Sequence, residues 1–464
     1  MLKQLFIVIG LALLSFGVNA QSNQFSLEQC VDYGIKNNRA MKNSKIDMEI
    51  ASSKVWETIA IGLPQVNANA QMQYFINIPT QLFPDFISPA LYGILNGEGV
   101  RDSTGKIIPR RLPSGRYTPT QLGTKYNGSI GIDASMILFD GSYLAGLQAS
   151  ATYKKLSLNQ ADRTEVDTRV SITKGYYNVL VGNERIELLN ANVARLKKTM
   201  DDTKALYENG FVERTDYNRL EVLYNNLLVE QRKYAQILGL GLLSLKFQMG
   251  MPLTDSLVLT DKLDKKGLQP SLERIDKVNY ELRPDYNAAL TAQKLNKLDL
   301  RRAKLSYLPS IVAFGSYSRN SPQNNFSDVF TGTTFPTTLV GIKASIPIFG
   351  GFKKYQQLHQ AQLALHKSDN DLESFKNGID MEAKSTQILY NSAVASLASQ
   401  ERNIELAKEV LRVAKAKYEQ GLGSSLEVIS AETSLKEAET NYIASLSEAL
   451  AARVDMDRAQ GLIK

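Results

Sequence analysis

A single cysteine among 464 residues rules out any intramolecular disulfide. Two histidines, His359 and His366, stand seven apart with no third ligand near them in sequence, so no metal site is expected. There is no nucleophile motif, no phosphate-cradling glycine loop and no cysteine cluster. The sequence therefore gives no reason to expect an enzyme, a catalytic residue or a cofactor. Charges interrupt every apolar stretch that follows the first twenty residues, which leaves no candidate transmembrane helix. If the chain crosses a membrane, it must do so with strands. The net charge of +7 is scattered in alternating signs rather than gathered into a basic cluster, so no nucleic acid is expected as a partner. Proline is missing from two long stretches: none lies between Pro119 and Pro252, and none follows Pro347. Proline costs a helix interior about 3 kcal/mol, so these gaps are where long helices are expected.

The start of the chain has the order of a secretory signal. Lys3 supplies the positive charge, Leu5 to Leu14 the apolar run, and Val18-Asn19-Ala20 the small-residue cleavage site before Gln21. Residues 1–20 are thus expected to be removed on export; the apolar run is too short to span a bilayer. Cys30 follows bulky Gln29 well past that point and reads as an ordinary helix residue, not a lipid-attachment site. Trp56, the only tryptophan, is expected to pack.

The chain repeats itself. Gly131-Ile132-Asp133-Ala134-Ser135 returns as Gly341-Ile342-Lys343-Ala344-Ser345, an offset of 210 residues. Lys204-Ala205-Leu206-Tyr207-Glu208-Asn209-Gly210 returns as Lys415-Ala416-Lys417-Tyr418-Glu419-Gln420-Gly421, an offset of 211, whereas Leu63-Pro64 returns as Leu308-Pro309 at 245. The change from 245 to 210 places one insertion of 35 residues in the first copy, between about residues 74 and 126. Two copies of one unit follow: residues 21–251 and 272–464, joined by a linker at 252–271.

Each proline-free gap suits one helical hairpin, at about 143–250 and 352–461. The first helix of each would run roughly 100 Å if continuous. Gly210 and Gly421 are placed as helix C-terminal caps, and Asp216 and Ser424 or Ser425 as N-terminal caps of the returning helices. Leu358, Ala361, Leu365, Ser368, Leu372, Phe375 and Ile379 keep a 3-4 spacing, as do Leu435, Ala438, Tyr442, Ser445, Ala449, Ala452, Met456 and Ala459.

Strands are expected at about 65–76, 128–139, 310–318 and 338–349. Val66, Ala68, Ala70, Met72, Tyr74 and Ile76 alternate with Gln65, Asn67, Asn69, Gln71 and Gln73, the pattern of a strand between lipid and water. Ile130 to Leu138 and Val340 to Ile348 alternate in the same way, which puts Asp133 and Lys343 on the watery face as barrel-lumen candidates. Val312 and Phe314 break the pattern in the third strand. The insertion falls in the first strand-connecting loop, about 77–125, against about 319–336 in the second copy; long loops of outer-membrane barrels lie outside the cell. Four strands cannot close a barrel, and lipid tolerates no open edge, so membrane strands here demand an oligomer.

The ordered, duplicated set resembles the TolC family of trimeric outer-membrane efflux channels. The resemblance is carried by Leu27-Glu28-Gln29-Cys30-Val31, Asn37-Asn38, Leu63-Pro64-Gln65, Phe139-Asp140-Gly141, Phe349-Gly350-Gly351 and the two Tyr-Glu-Asn/Gln-Gly tips ending at Gly210 and Gly421. It covers essentially the whole mature chain. It implies a mainly α fold with membrane β: long helical hairpins form an α-barrel tunnel, and four strands per chain contribute to a shared trimeric β-barrel. It further implies a homotrimer in the cell outer membrane, extending into the periplasm, that works with a periplasmic adaptor (membrane fusion) protein and an inner-membrane transporter. The implied function is a passive exit duct of a tripartite efflux or type I secretion system, for small molecules or secreted polypeptide.

In the family the tunnel tip is closed at rest. Thr215 and Asp216 fall at the position of its latch, and Tyr418 at that of its tyrosine partner. Gly423 occupies the place of the latch arginine. Glu427 fits the first of two acidic-ring positions, and Ser430 replaces the second. Gly210-Phe211 and Gly421-Leu422 resemble the tips that meet the adaptor. Without the resemblance, the alternative is a secreted coiled-coil adhesin or structural protein of the cell envelope.

Overall fold

The computed structural model describes residues 24–463 except 86, 112–116, 264–266 and 271–277. The expected signal, residues 1–20, lies outside them. In chain order the elements are β1 Gln24–Phe25, α1 Leu27–Asn37, α2 Arg39–Ile61, β2 Gln65–Tyr74, β3 Thr80–Pro84, α3 Ile87–Gly97, β4 Tyr117–Gln121, β5 Tyr126–Phe139, α4 Gly141–Glu208, α5 Arg214–Met249, β6 Val258–Leu259, α6 Pro284–Leu305, β7 Ser310–Gln323, α7 Asp328–Thr331, β8 Phe335–Ser345, α8 Lys353–Glu419 and α9 Ser425–Ala459. Two compact units result. One ends its first segment at Val55 and includes Gln148–Leu298 and Gln360–Lys464; the other comprises Trp56–Leu147 and Asp299–His359. Among the described residues no helix is long and apolar enough to cross a membrane.

The second unit is built on a four-stranded antiparallel sheet in the order β2-β5-β7-β8, with β2 and β8 as its edges. Register sorts the side chains. Asn67, Asp133, Ser316 and Leu339 are cross-strand partners and so share one face. Val66, Ala134, Gly315 and Val340 share the other, and Ala68 and Ile132 lie on that second face too. Val66, Ile130, Ile132, Val340 and Ile342 are exposed although large and apolar. A slip in register between Ile137 and Phe139 leaves Leu138 as a bulge just before α4.

Several strand ends differ from the alternation. β8 stops at Ser345, not 349, because Pro347 has no N–H for a ladder. β7 continues to Gln323, where it pairs with Tyr126, and this shortens the second loop. β2 ends at Tyr74 as the chain turns: the Phe75 amide donates to the Lys125 carbonyl at 2.8 Å. The first long loop is not structureless; it holds the β3–β4 hairpin and α3. Trp56 does not pack within one chain, being 69% exposed.

In the helical unit, α1 starts on a reciprocal cap. The Ser26 amide donates to Gln29 Oε1 at 2.9 Å, and the Gln29 amide to Ser26 Oγ at 3.4 Å. Cys30 is fully buried with Ile172, Tyr176, Leu245 and Met249. Burial, aided by the charge of Asp261, pushes its thiol up to about 12. β1 pairs in parallel with β6, tying the start of this unit to the linker. The expected seams are partly filled within one chain: Ala361, Ile379, Leu435, Tyr442, Ala449 and Met456 are buried, whereas Phe375 is not.

Arg283, 4% exposed, joins three helices. It donates to Asp285 at 2.7 Å in α6, to Glu382 at 2.7 Å in α8 and to the Ala459 carbonyl at 3.0 Å in α9. Burial opposes ionisation of Asp285, yet the hydrogen bond and charge of Arg283 hold its carboxyl below the usual range. A depressed folded value stabilises the fold above the unfolded value, and that contribution is lost as pH falls through the folded one. Replacing Arg283 by alanine strands these acceptors, so R283A is expected to cost about 3–5 kcal/mol in denaturant titration. A loss under about 1 kcal/mol would show that the clamp is not structural. A maleimide is expected to label Cys30 only after unfolding, and rapid labelling of the folded chain would refute its burial.

Candidate functional site

Both hairpin tips are built by the same backbone device. At the end of α4, Gly210 takes φ 80°; its amide donates to the Tyr207 carbonyl at 2.9 Å, and the Phe211 amide to that of Leu206 at 2.9 Å. At the end of α8, Gly421 takes φ 71°, with the matching bonds to Tyr418 at 3.0 Å and from Leu422 to Lys417 at 2.9 Å. This paired closure uses a left-handed residue, hence glycine. It leaves Phe211 77% and Leu422 78% exposed, each held on a rigid cap. An exposed aromatic or aliphatic side chain at the tip of a hairpin is suited to meeting another protein.

The returning helices begin differently from expectation. Glu213, with extended backbone, is the N-cap of α5 and makes no side-chain cap bond. Asp216 is therefore not a cap; it is the third residue of the first turn, because the helix starts at Arg214. Its carboxylate accepts a close hydrogen bond from Ser425 Oγ. Thr215 donates to Glu213 at 3.0 Å and does not join this pair. In α9 the cap is Ser424, which accepts from the Glu427 amide at 3.3 Å. Ser425 is thereby freed for Asp216, and it is 5% exposed.

Tyr418 does not reach Asp216. Its hydroxyl is buried and has no hydrogen-bond partner among the described residues. Gly423 lies against the tip: an added Cβ would stand 3.0 Å from the Lys417 Cβ and 3.4 Å from Glu427 Oε2. A long side chain there would have to displace the cap. Glu427 is exposed and lines a groove of about 440 Å³ with Ser430, Glu409 and Lys417. The structure thus brings Asp216 and Ser425 together and Glu427 and Ser430 together, and leaves Tyr418 apart from Asp216.

A further polar series runs up α9 from this point. Ser425, Glu432 and Glu439 recur every seven residues, and each is about 6% exposed or less. Glu432 meets Arg195 of α4 at 3.0 Å and Lys415 of α8 at 2.8 Å; Glu439 accepts from Asn192 of α4. Lys436 pairs with Glu230 of α5, and nearer the far end Lys174 meets Asp455 at 2.6 Å and Arg458 meets Asp167 at 2.7 Å. Sequence reading missed these residues. The available signal was a heptad of polar residues on a helix whose other seam positions are small or apolar.

In the sheet, Asp133 accepts a close hydrogen bond from Asn69, and Lys343 shares its face through the row Ile137–Val312–Lys343. The histidines are exposed; Tyr355 stacks on His359 with ring centroids 6.5 Å apart. No group of three or more potential metal ligands occurs among the described residues.

The family profile described as outer membrane efflux protein matches residues 281–462. Outer membrane protein TolC of Vibrio cholerae is 20% identical over 318 residues, spanning 68% of this chain and 72% of its own. Outer membrane protein TolC of Escherichia coli is 22% identical over 452 residues, spanning 94% of this chain and 82% of its own. A crystal structure of CusC, described as undergoing conformational changes on folding and transmembrane channel formation, superposes with a TM-score of 0.74 at 16% identity, covering 94% of this chain and 92% of that one. With two strand-and-hairpin repeats and a four-stranded sheet, the chain has the fold of TolC-like outer-membrane channels, and its sequence is similar to outer membrane efflux proteins.

Proposed function

We propose that three copies of this chain close one barrel and one helical tunnel, forming the passive outer-membrane exit duct of a tripartite efflux or type I secretion machine. The observation that carries this reading is the four-stranded sheet with an apolar outer face and two unpaired edges. In lipid an unpaired backbone group costs several kcal/mol, so β2 and β8 must find partners. Strand directions alternate, and an even number per chain sets β8 antiparallel to the β2 of the next copy. Closure by identical copies is then possible without a break in the pattern. Three copies give twelve strands, enough for an open lumen, with Asp133 and Lys343 facing the water.

Two stripes on the helices support the same assembly. Val222, Val229, Leu240 and Phe247 fall on one face of α5, and Met381, Ile388, Leu406 and Val410 on one face of α8, all more than half exposed. Eighteen residues make five whole turns, so Val222 and Leu240 are aligned, as are Ile388 and Leu406. Apolar stripes of this kind are buried against neighbouring helices in a bundle. They suit the seams between copies. Phe211 and Leu422 are then left at the tips for the periplasmic adaptor, behind which an inner-membrane transporter supplies the cargo.

At the tips, the Asp216–Ser425 bond joins the first hairpin of a chain to its second and favours the resting, closed arrangement. A hydrogen bond to a charged group contributes about 1.5–3 kcal/mol. Losing it shifts a closed–open equilibrium by about 10- to 150-fold. In planar bilayers, D216A and S425A are each expected to raise resting conductance, and the double variant to add little to either single one. Resting currents equal to the wild type in both variants would remove the gate while leaving the duct. A ring of three Glu427 side chains at the mouth attracts cations, so E427A is expected to weaken block by divalent or trivalent cations; unchanged block would place the ring elsewhere. A chain that gives no conductance in any form would end the duct reading.

A further inference from the structure

The inserted segment of the first copy has no counterpart in the second, and the duct does not account for it. Its helix α3, Ile87–Gly97, carries no charged residue and buries none of its side chains. Ile87, Leu91 and Ile94 are 65%, 51% and 63% exposed and project from one face at spacings of four and three. The other face is covered by the chain that follows. The Val100 amide donates to the Leu95 carbonyl at 3.0 Å, the Ile108 amide to that of Val100 at 2.9 Å, and Asn96 Nδ2 to that of Ile108 at 2.8 Å. Arg111 stacks 4.5 Å over the Tyr92 ring, and Arg110 stands closest to Gly93. The result is a small two-sided element, with an apolar underside and Arg110 and Arg111 on its upper side; Arg101 and Lys106 follow in the turn beside Asp102, and with Glu98 the segment keeps a net charge of +2, Asp85 lying near Arg111.

An uncharged eleven-residue helix is marginal in water, and three large side chains held open on one face leave a sizeable burial gain unrealised. Exposed apolar residues also punctuate the chain between the sheet and α3. After Tyr74, at the end of β2, come Ile76 at 82% and Leu82 at 66% exposed, then the α3 stripe. The rim of the sheet where this segment leaves carries a chain of aromatic contacts, Tyr74–Tyr126 at 4.9 Å, Tyr126–Phe326 at 5.9 Å and Phe326–Phe330 at 5.6 Å. Aromatic residues collect where a barrel crosses from hydrocarbon to headgroups. An amphipathic helix with an apolar underside and basic groups above lies in the plane of such an interface.

We propose that residues 87–111 form an interfacial platform that seats on the outer leaflet, with Ile87, Leu91 and Ile94 at the acyl boundary and the basic side chains on the phosphates of an anionic glycolipid. Arg110 and Arg111 lie across the helix from the apolar stripe, about one helix diameter higher, at the level of phosphorylated headgroups. A zwitterionic surface would satisfy the underside alone. The platform fixes the height of the duct mouth in the membrane and adds a lipid requirement to it. This rests on the outer-membrane placement above.

The single tryptophan makes a clean probe possible. In the full-length trimer, Trp56→Phe is combined with Leu91→Trp, and in a second variant with Ile94→Trp. Iodide quenching is measured in amphipol, in phosphatidylcholine vesicles, and in vesicles whose outer leaflet also contains lipopolysaccharide. Conductance of the same preparations shows separately that the duct is intact. The expected result is an exposed indole in amphipol, partial protection with quenching by brominated lipid in phosphatidylcholine, and full protection with lipopolysaccharide. Lys106→Ser and Arg110→Ser are each expected to weaken the seated state about fivefold in that last arm only. Protection already complete in amphipol would mean that the stripe is covered by protein, and equal exposure in all arms that nothing covers it; either overturns the proposal. Equal protection with and without lipopolysaccharide, unaffected by the charge variants, overturns the anionic partner.

Discussion

Backbone hydrogen bonding in a medium without water is the constraint on which the rest of this molecule depends. A strand can enter hydrocarbon only if both of its edges are paired, and one chain supplies four strands with two edges unpaired. Within the chain, β5 and β7 are satisfied along most of their length, whereas β2 and β8 each present one row of free donors and acceptors. The chain is thus an incomplete object by design. Its apolar face has the same logic, since Val66, Ile132, Val340 and Ile342 are exposed to whatever surrounds the barrel, not folded into a core.

The helical unit is governed by a different balance. Long helices with seams of alanine and serine pack closely but with little distinction between one register and another. The buried series Ser425, Glu432 and Glu439 supplies that distinction, because each must meet one partner on the first hairpin. A buried carboxylate that misses its cation is strongly penalised, so slippage by one turn is unfavourable. The same series ends at the tip, where the Ser425 hydroxyl meets the Asp216 carboxylate and Ile429 packs against the Leu196 and Leu220 cluster of the first hairpin.

Much of this was legible in the residues. The repeat, the proline-free gaps and the period-two alternation give the element order, and Gly210 and Gly421 both adopt the left-handed caps that their positions suggest. What was not legible depends on the third dimension. Asp216 reads as a cap, yet its role depends on where Glu213 turns the chain and on Ser425, more than two hundred residues away. Alternation past Ser345, through Ile346 and Ile348, suggests that the last strand runs on, but Pro347 ends the ladder. Trp56 looks like a core residue by type and is exposed in the single chain. The coiled-coil adhesin reading explains the helices but leaves the two-faced sheet without a purpose.

The central claim is that the open edges are closed by two further copies. Native mass spectrometry of the complex released from a mild detergent tests it most directly. The account predicts particles containing three chains, carrying the conductance, with no stable folded monomer or dimer alongside. A conducting particle of any other copy number, or a stable soluble monomer with its sheet edges unpaired, would contradict it.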